Sequence, residues 1–201
     1  MIVYAETNFI LEVALLQEES ENCEQILRLA EEGLIRLVLP AFSFVEPHGA
    51  LNVRKAQRNR VKPELGSVLR ELGRTAPYAP QVAVIKPVLH NLLQNSTSEE
   101  TSRLQAARAR IAAAAEVISL DQAILVSAAE YERAYRLSPQ DAVVYASVRA
   151  HLERERPATS CFLNRNANDF DVPDLTADLR RFRCKMLTHF DQGYGYILST
   201  P

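Results

Sequence analysis

The sequence predicts an α/β domain: a doubly wound parallel sheet of about five strands with helices on both faces. Two observations predict it. Short apolar, β-prone runs alternate along the chain with longer stretches whose apolar residues recur at helical spacing. The first run also stops abruptly at polar and acidic residues that open a helix, the corner expected of a parallel crossover unit.

The first strand is Met1-Ile2-Val3-Tyr4-Ala5, stopped by Glu6-Thr7-Asn8-Phe9, with Thr7 read as the helix cap. Phe9 to Leu16 carries apolar residues at helical spacing. Glu18 to Glu32 is a second, amphipathic helix with Cys23, Ile26, Leu27 and Ala30 inward and Gly33 as its stop. Ile35 to Leu39, bounded by Pro40, is the second strand. A helix follows from about Ser43 to Asn59, with Pro47 tolerated in its first turns. Leu65 to Leu72 and Val82 to Leu93 predict two further helices, the first ended by Gly73. Asn95-Ser96-Thr97 reads as a polar break, and Thr97 with Glu100 as a capping box for a helix reaching Ala115.

Val117 to Ser119 is the third strand, followed by a helix from Gln122 to Tyr135. Ser138-Pro139-Gln140-Asp141 opens the next helix, which runs to about Glu155. Thr159 to Leu163 is the fourth strand, Pro173 to Phe182 a short helix, and Cys184 to Leu187 an edge strand before a tail containing Gly193 and Gly195.

The 201 residues predict a single domain, 1–201, with a helical insertion at about 60–96. Net charge is −2, so a polyanion would need a local basic patch. Arg54, Lys55, Arg58, Arg60 and Lys62 form such a cluster, read either as a phosphate-contacting ridge or as a solvated helix end. Cys23, Cys161 and Cys184 have no metal-ligand spacing, and three scattered thiols predict a reducing, cytoplasmic setting. No signal peptide is expected, and no run reaches the ~18–20 apolar residues of a membrane span.

On a parallel frame the acids converge. Glu6 follows strand one, Glu46 lies in the helix opened by strand two, Asp141 opens the helix before strand four, and Asn166 and Asp169 follow strand four. All fall at one end of the sheet, where such folds bind ligands. Each also has a structural reading. Glu6 suits a helix dipole, Asp141 a Ser138 cap and Asp169 a turn, whereas Glu46 among Phe42, Phe44 and Val45 is costly unless paired or metal-bound. Clustered carboxylates repel one another, and a hard divalent cation, Mg²⁺ or Mn²⁺, relieves this.

The order and placement of these pieces resemble the PIN-domain ribonucleases over most of the chain. The pieces are Glu6-Thr7-Asn8, Leu39-Pro40 with Ser43 and Glu46, Leu137-Ser138-Pro139-Gln140-Asp141-Ala142, and Phe162-Leu163-Asn164-Arg165-Asn166 with Asp169-Phe170. The resemblance implies a Mg²⁺- or Mn²⁺-dependent ribonuclease of toxin type, with RNA as substrate and an antitoxin protein and a second copy as partners. It implies Glu6, Glu46, Asp141 and Asp169 as catalytic acids, Asn166 as a further metal ligand, and Asn8 and Ser43 as supports. The chain departs from the family where Glu6 and Asn166 replace the usual Asp. Those changes favour an alternative, a PIN-like RNA- or protein-binding module without catalysis. A third alternative is a purely structural α/β partner in a complex.

Overall fold

The computed structural model describes residues 1–165 and 173–200. Its elements are β1 (Ile2–Ala5), α1 (Thr7–Leu15), α2 (Ser20–Glu31), β2 (Arg36–Pro40), α3 (Phe42–Leu72), α4 (Ala79–Ala114), β3 (Glu116–Ile118), α5 (Gln122–Tyr135), α6 (Pro139–Glu155), β4 (Ser160–Leu163), α7 (Pro173–Arg181), β5 (Cys184–Leu187) and α8 (Phe190–Ser199). The strands form one sheet in the order β3-β2-β1-β4-β5, every neighbouring pair parallel. This is the doubly wound α/β arrangement that the sequence predicts.

Period-two alternation places the core on both faces. Val3, Ala5, Leu37, Leu39, Cys161 and Leu163 pack against α1, α2, α4 and α8. Ile2, Tyr4, Val38, Phe162 and Cys184 pack against α5, α6 and α7. The chain therefore changes face between β1 and β4. That is the topological switch point, where a crevice opens at the carboxyl ends of the strands. The three cysteines are buried and unbridged. Among the described residues no helix is long and apolar enough to cross a membrane.

Gly33 ends α2 as expected. At φ +73° it is in the left-handed region, its N–H bonds Ala30 O at 3.0 Å, and Leu34 N–H bonds Leu29 O at 2.9 Å, closing a Schellman motif. Elsewhere the structure corrects the local reading. The helices expected over Ser43–Asn59 and Leu65–Leu72 are one helix, α3, which runs through Pro63. Those expected over Val82–Leu93 and Thr97–Ala115 are also one, α4, which runs through Pro87. Each proline removes one N–H, and packing of the two long helices along each other outweighs that loss. There is no break or capping box at Thr97. Ser98 Oγ donates to Asn95 O at 2.9 Å and Thr101 Oγ1 to Thr97 O at 2.8 Å, so these hydroxyls bond back along the helix.

The expected tail is a helix, α8. Gly193 lets it approach β4, since a Cβ there would stand 2.6 Å from Leu163 Cδ2. Phe190 and Ile197 are buried beneath it. Its first turn is capped from α2, with Glu19 Oε2 accepting from Phe190 N at 2.5 Å and Asp191 N at 3.2 Å.

Arg165, immediately after β4, ties this corner together. It donates to Glu12 Oε1 and to Glu18 Oε2 at 2.7 Å, and lies 3.7 Å from Glu19 Oε1. Glu12 is 1 % exposed, and an ionised carboxylate that deep is tolerable only when paired. Among the described residues, Arg165→Ala leaves Glu12 with only the Glu19 N–H, 2.9 Å from its Oε2, and is expected to cost ~3 kcal/mol, the penalty of a buried charge that loses its ion pair. Urea denaturation checks this, and a loss below ~1 kcal/mol would show that water already solvates Glu12.

Candidate active site

The crevice at the switch point is a cavity of about 820 Å³. Glu6 enters it from the end of β1, Glu46 from the second turn of α3 and Asp141 from the first turn of α6. Asn8, Gln140, His48 and Asn164 line it with them, over an apolar wall of Leu11, Phe42, Val45 and Val144.

Each acid is held by its local sequence. Glu6, rather than Thr7, caps α1: its Oε2 accepts from Asn8 N–H at 2.9 Å. Thr7 is buried, and its hydroxyl instead reaches across to donate to Glu46 Oε2, joining the first turns of α1 and α3. Asp141 is the third residue of a reciprocal cap. Its N–H donates to Ser138 Oγ at 3.1 Å, and Ser138 Oγ donates to Asp141 Oδ2 at 2.5 Å. The structural reading of Asp141 is thus realised, and the cap also fixes the carboxylate at the cavity wall.

Glu6 stands apart electrostatically. Its Oε1 is buried with no hydrogen bond of ordinary geometry. Burial, and secondarily the charge of Glu46, push its carboxyl up to about 7, against the opposing N–H groups of Asn8 and Arg165. Ser43, one turn before Glu46, is fully buried, and its Oγ likewise has no hydrogen bond. At the amino edge of the sheet, by contrast, the charges are partnered. Arg36 bonds Glu116 and Glu155, Glu116 bonds His151, and His151 bonds Tyr4. Two buried oxygens without a hydrogen bond thus lie at the carboxyl edge, and a closed network at the amino edge.

The three acids offer oxygen donors, which suit Mg²⁺ or Mn²⁺ better than softer ions. The acids share the cavity without forming a tight knot. Among the described residues, three ligand groups all within 4.8 Å of one another occur only at Glu19, His189 and Asp191. That cluster is the α8 cap described above. Asn166 and Asp169 lie outside the described residues. Of the basic cluster, Arg58 is engaged by Glu100 through two bonds of 2.8 and 2.6 Å, while Lys55, Arg60 and Lys62 are exposed and Arg54 half-buried.

Three residues were missed by sequence reasoning. Asn164 ends β4 as Glu6 ends β1, and the same strand-end logic would have found it. Gln140 is the neighbour of Asp141 in the helix-opening motif. His48, at the cavity wall, is contacted by Arg108 of α4, whose Nη1 lies 2.5 Å from His48 Nε2. Arg108 is half-buried and has no carboxylate partner among the described residues, and nothing in the local sequence links positions 60 residues apart.

No family model matches the chain, and no curated protein matches it in sequence. Among solved structures, the chain is similar to one described as the crystal structure of VapBC2 from Rickettsia felis bound to a DNA fragment from their promoter. The TM-score is 0.44 at 10% identity, over 93% of this chain and 99% of that one.

Proposed function

We propose that the chain is a metal-dependent ribonuclease whose active site is the Glu6–Glu46–Asp141 cavity, and that Glu6, Glu46 and Asp141 hold Mg²⁺ or Mn²⁺ there with Asn166 and Asp169. The observation that carries this is the buried Glu6 carboxylate, one oxygen without a hydrogen bond, facing a cavity that also receives Glu46 and Asp141. A hard cation in that cavity would polarise a phosphodiester and ease deprotonation of water near neutral pH.

The chain's own residues do the rest. The Glu6 carboxyl, raised to about 7, is about half protonated near neutral pH, and a cation held beside it would favour its ionised form. Thr7 and Ser138 keep the Glu46 and Asp141 carboxylates in place, and Asn8 holds Glu6. Arg108 donates to His48 Nε2, which leaves Nδ1 as the protonated nitrogen, a donor for a phosphate oxygen at the wall. Arg54, Lys55, Arg60 and Lys62 lie eight to sixteen residues beyond Glu46 on α3, about 12–24 Å along it, and would track the RNA backbone away from the cut. By the sequence resemblance, an antitoxin-type protein and a second copy of the chain belong to the same proposal.

Arg108→Ala, which removes the group that orients His48, is expected to weaken binding of a single-stranded RNA by roughly tenfold, as for one lost hydrogen bond to a charged phosphate, while leaving Mn²⁺ affinity unchanged. Fluorescence anisotropy with labelled RNA measures the first and calorimetry the second. Equal RNA affinity in both proteins removes Arg108 and His48 from the substrate path.

The wide spacing of the acids favours a second reading, an RNA-binding module without catalysis. Incubation of labelled single-stranded RNA with and without Mn²⁺ separates the two. Cleavage that needs Mn²⁺ supports the ribonuclease, and binding without cleavage supports the module.

A further inference from the structure

Beyond the cavity, the distal halves of α3 and α4 form an arm. Of residues 60–96 only Val82 is buried. Nine of the seventeen exposed large apolar side chains among the described residues lie within 53–92, including Val61, Val68, Ile85, Val88 and Leu92. The two helices pack along each other but leave this apolar surface exposed, and a contiguous exposed apolar surface marks a site for a partner. Its charge is also distinct. Residues 51–98 carry eight basic and two acidic side chains, net +6, while the rest of the chain has fifteen basic and twenty-three acidic, net −8.

Between the two helices of the arm runs a groove of about 420 Å³. Leu65 and Leu69 of α3 face Leu89 and Leu93 of α4 along it, Lys62 and Lys86 stand beside them, and no carboxylate lines it. Gly66 lines it, and a Cβ at that position would meet nothing within 4 Å, so a larger side chain there has room to enter the groove. We propose that this groove is a docking site for an acidic amphipathic helix of a partner protein, its apolar residues laid between the leucines and its carboxylates toward Lys62 and Lys86.

Charge complementarity selects this occupant. A second copy would bring one +6 arm against another, and like charges oppose that contact. A nucleic acid would use the basic side chains and leave the aliphatic groove uncovered, and Tyr78 is the arm's only exposed large aromatic side chain on which a base could stack. An amphipathic helix satisfies both features at once. The inference is independent of the chemistry of the cavity; of the groove residues only Lys62 is shared with the RNA path proposed above, and Gly66→Phe leaves that lysine in place.

The test uses the full chain and a synthetic helix of roughly 20 residues with Leu at i, i+3, i+4, i+7 spacing on one face and Glu on the other. Its controls are a scrambled peptide of the same composition, a Lys-for-Glu counterpart, a single-stranded RNA and phosphatidylserine vesicles. The acidic helix is expected to bind better than every control. Gly66→Phe should fill the groove and weaken binding about tenfold or more, whereas Gly66→Ala, which also suits a helix, should retain it. Lys62→Glu with Lys86→Glu should transfer the preference to the Lys peptide. The proposal is overturned if the acidic and scrambled peptides bind alike, or if Gly66→Phe leaves binding unchanged. It is also overturned if RNA binding, vesicle binding or self-association, and not peptide binding, is what Gly66→Phe abolishes.

Discussion

Glu46→Gln and Asp141→Asn are each expected to reduce Mn²⁺-dependent RNA cleavage by about two to four orders of magnitude while leaving the protein folded. Several kilocalories of transition-state stabilisation hang on a correctly held cation, and an amide supplies its oxygen without its charge. The fold survives because the contacts that position these acids come from their partners. Thr7 can donate to the amide oxygen of a glutamine, and the Asp141 N–H still donates to Ser138 Oγ. Asp141→Asn should therefore cost stability no more than a weakened cap, ~0.5–2 kcal/mol. Single-turnover cleavage with saturating Mn²⁺, beside thermal melts, reads both quantities. Full cleavage in the Asp141 variant would reduce that residue to its capping role.

Glu6→Gln is expected to stabilise the metal-free protein at alkaline pH and not at acid pH. Burial raises the folded carboxyl from its ordinary 4.5 to about 7, so in that window the folded state holds a proton that the unfolded chain has released. Stability contributed by the protonated group is complete below about 4.5 and is lost as pH rises through about 7. The loss amounts to about 3 kcal/mol at about pH 8, from the size of the shift. Glutamine cannot ionise, and its amide oxygen can still accept from Asn8 N–H, so the variant escapes the loss. Urea denaturation in chelator across this pH range should show variant and parent converging near pH 4.5, separating as pH rises toward about 7 and keeping a constant gap above it. Curves that run parallel throughout would mean that water reaches Glu6 and its carboxyl is not raised. Added Mn²⁺ should narrow the gap from the parent's side, because a bound cation stabilises the ionised form.

Much of the fold was legible because its signals are local. The Met1–Ala5 run, its acidic stop, Gly33 and the Ser138–Pro139 opening each act over a few residues, and the structure places β1, the α2 stop and the α6 cap there. Parallel pairing follows from the alternation of strands with helices. What was not legible is tertiary. The stretch between Asn59 and Leu65 and the Asn95–Thr97 stretch read as gaps between helices, yet α3 and α4 run through them because each long helix packs on the other. Gly193 and Gly195 read as a tail, and only the Leu163 side chain explains why Gly193 belongs inside a helix against the sheet.

The site divides in the same way. Glu6, Glu46 and Asp141 were placed by counting strand ends, and they line one cavity. That Glu6 caps its own helix while Thr7 bonds Glu46 depends on which side chains the fold brings together. The Arg108–His48 contact joins two helices that the sequence separates by 60 residues.

The most direct test of the central claim is a calorimetric titration of Mn²⁺ into the chain, the Glu6→Gln variant and a His189→Ala variant. The cavity account predicts one dominant Mn²⁺ site in the parent, lost or weakened at least about tenfold by Glu6→Gln and unchanged by His189→Ala. It further predicts that binding releases protons near pH 7, and that this release disappears with Glu6. Binding that survives Glu6→Gln but vanishes with His189→Ala would put the ion at the Glu19–His189–Asp191 cluster and contradict the account.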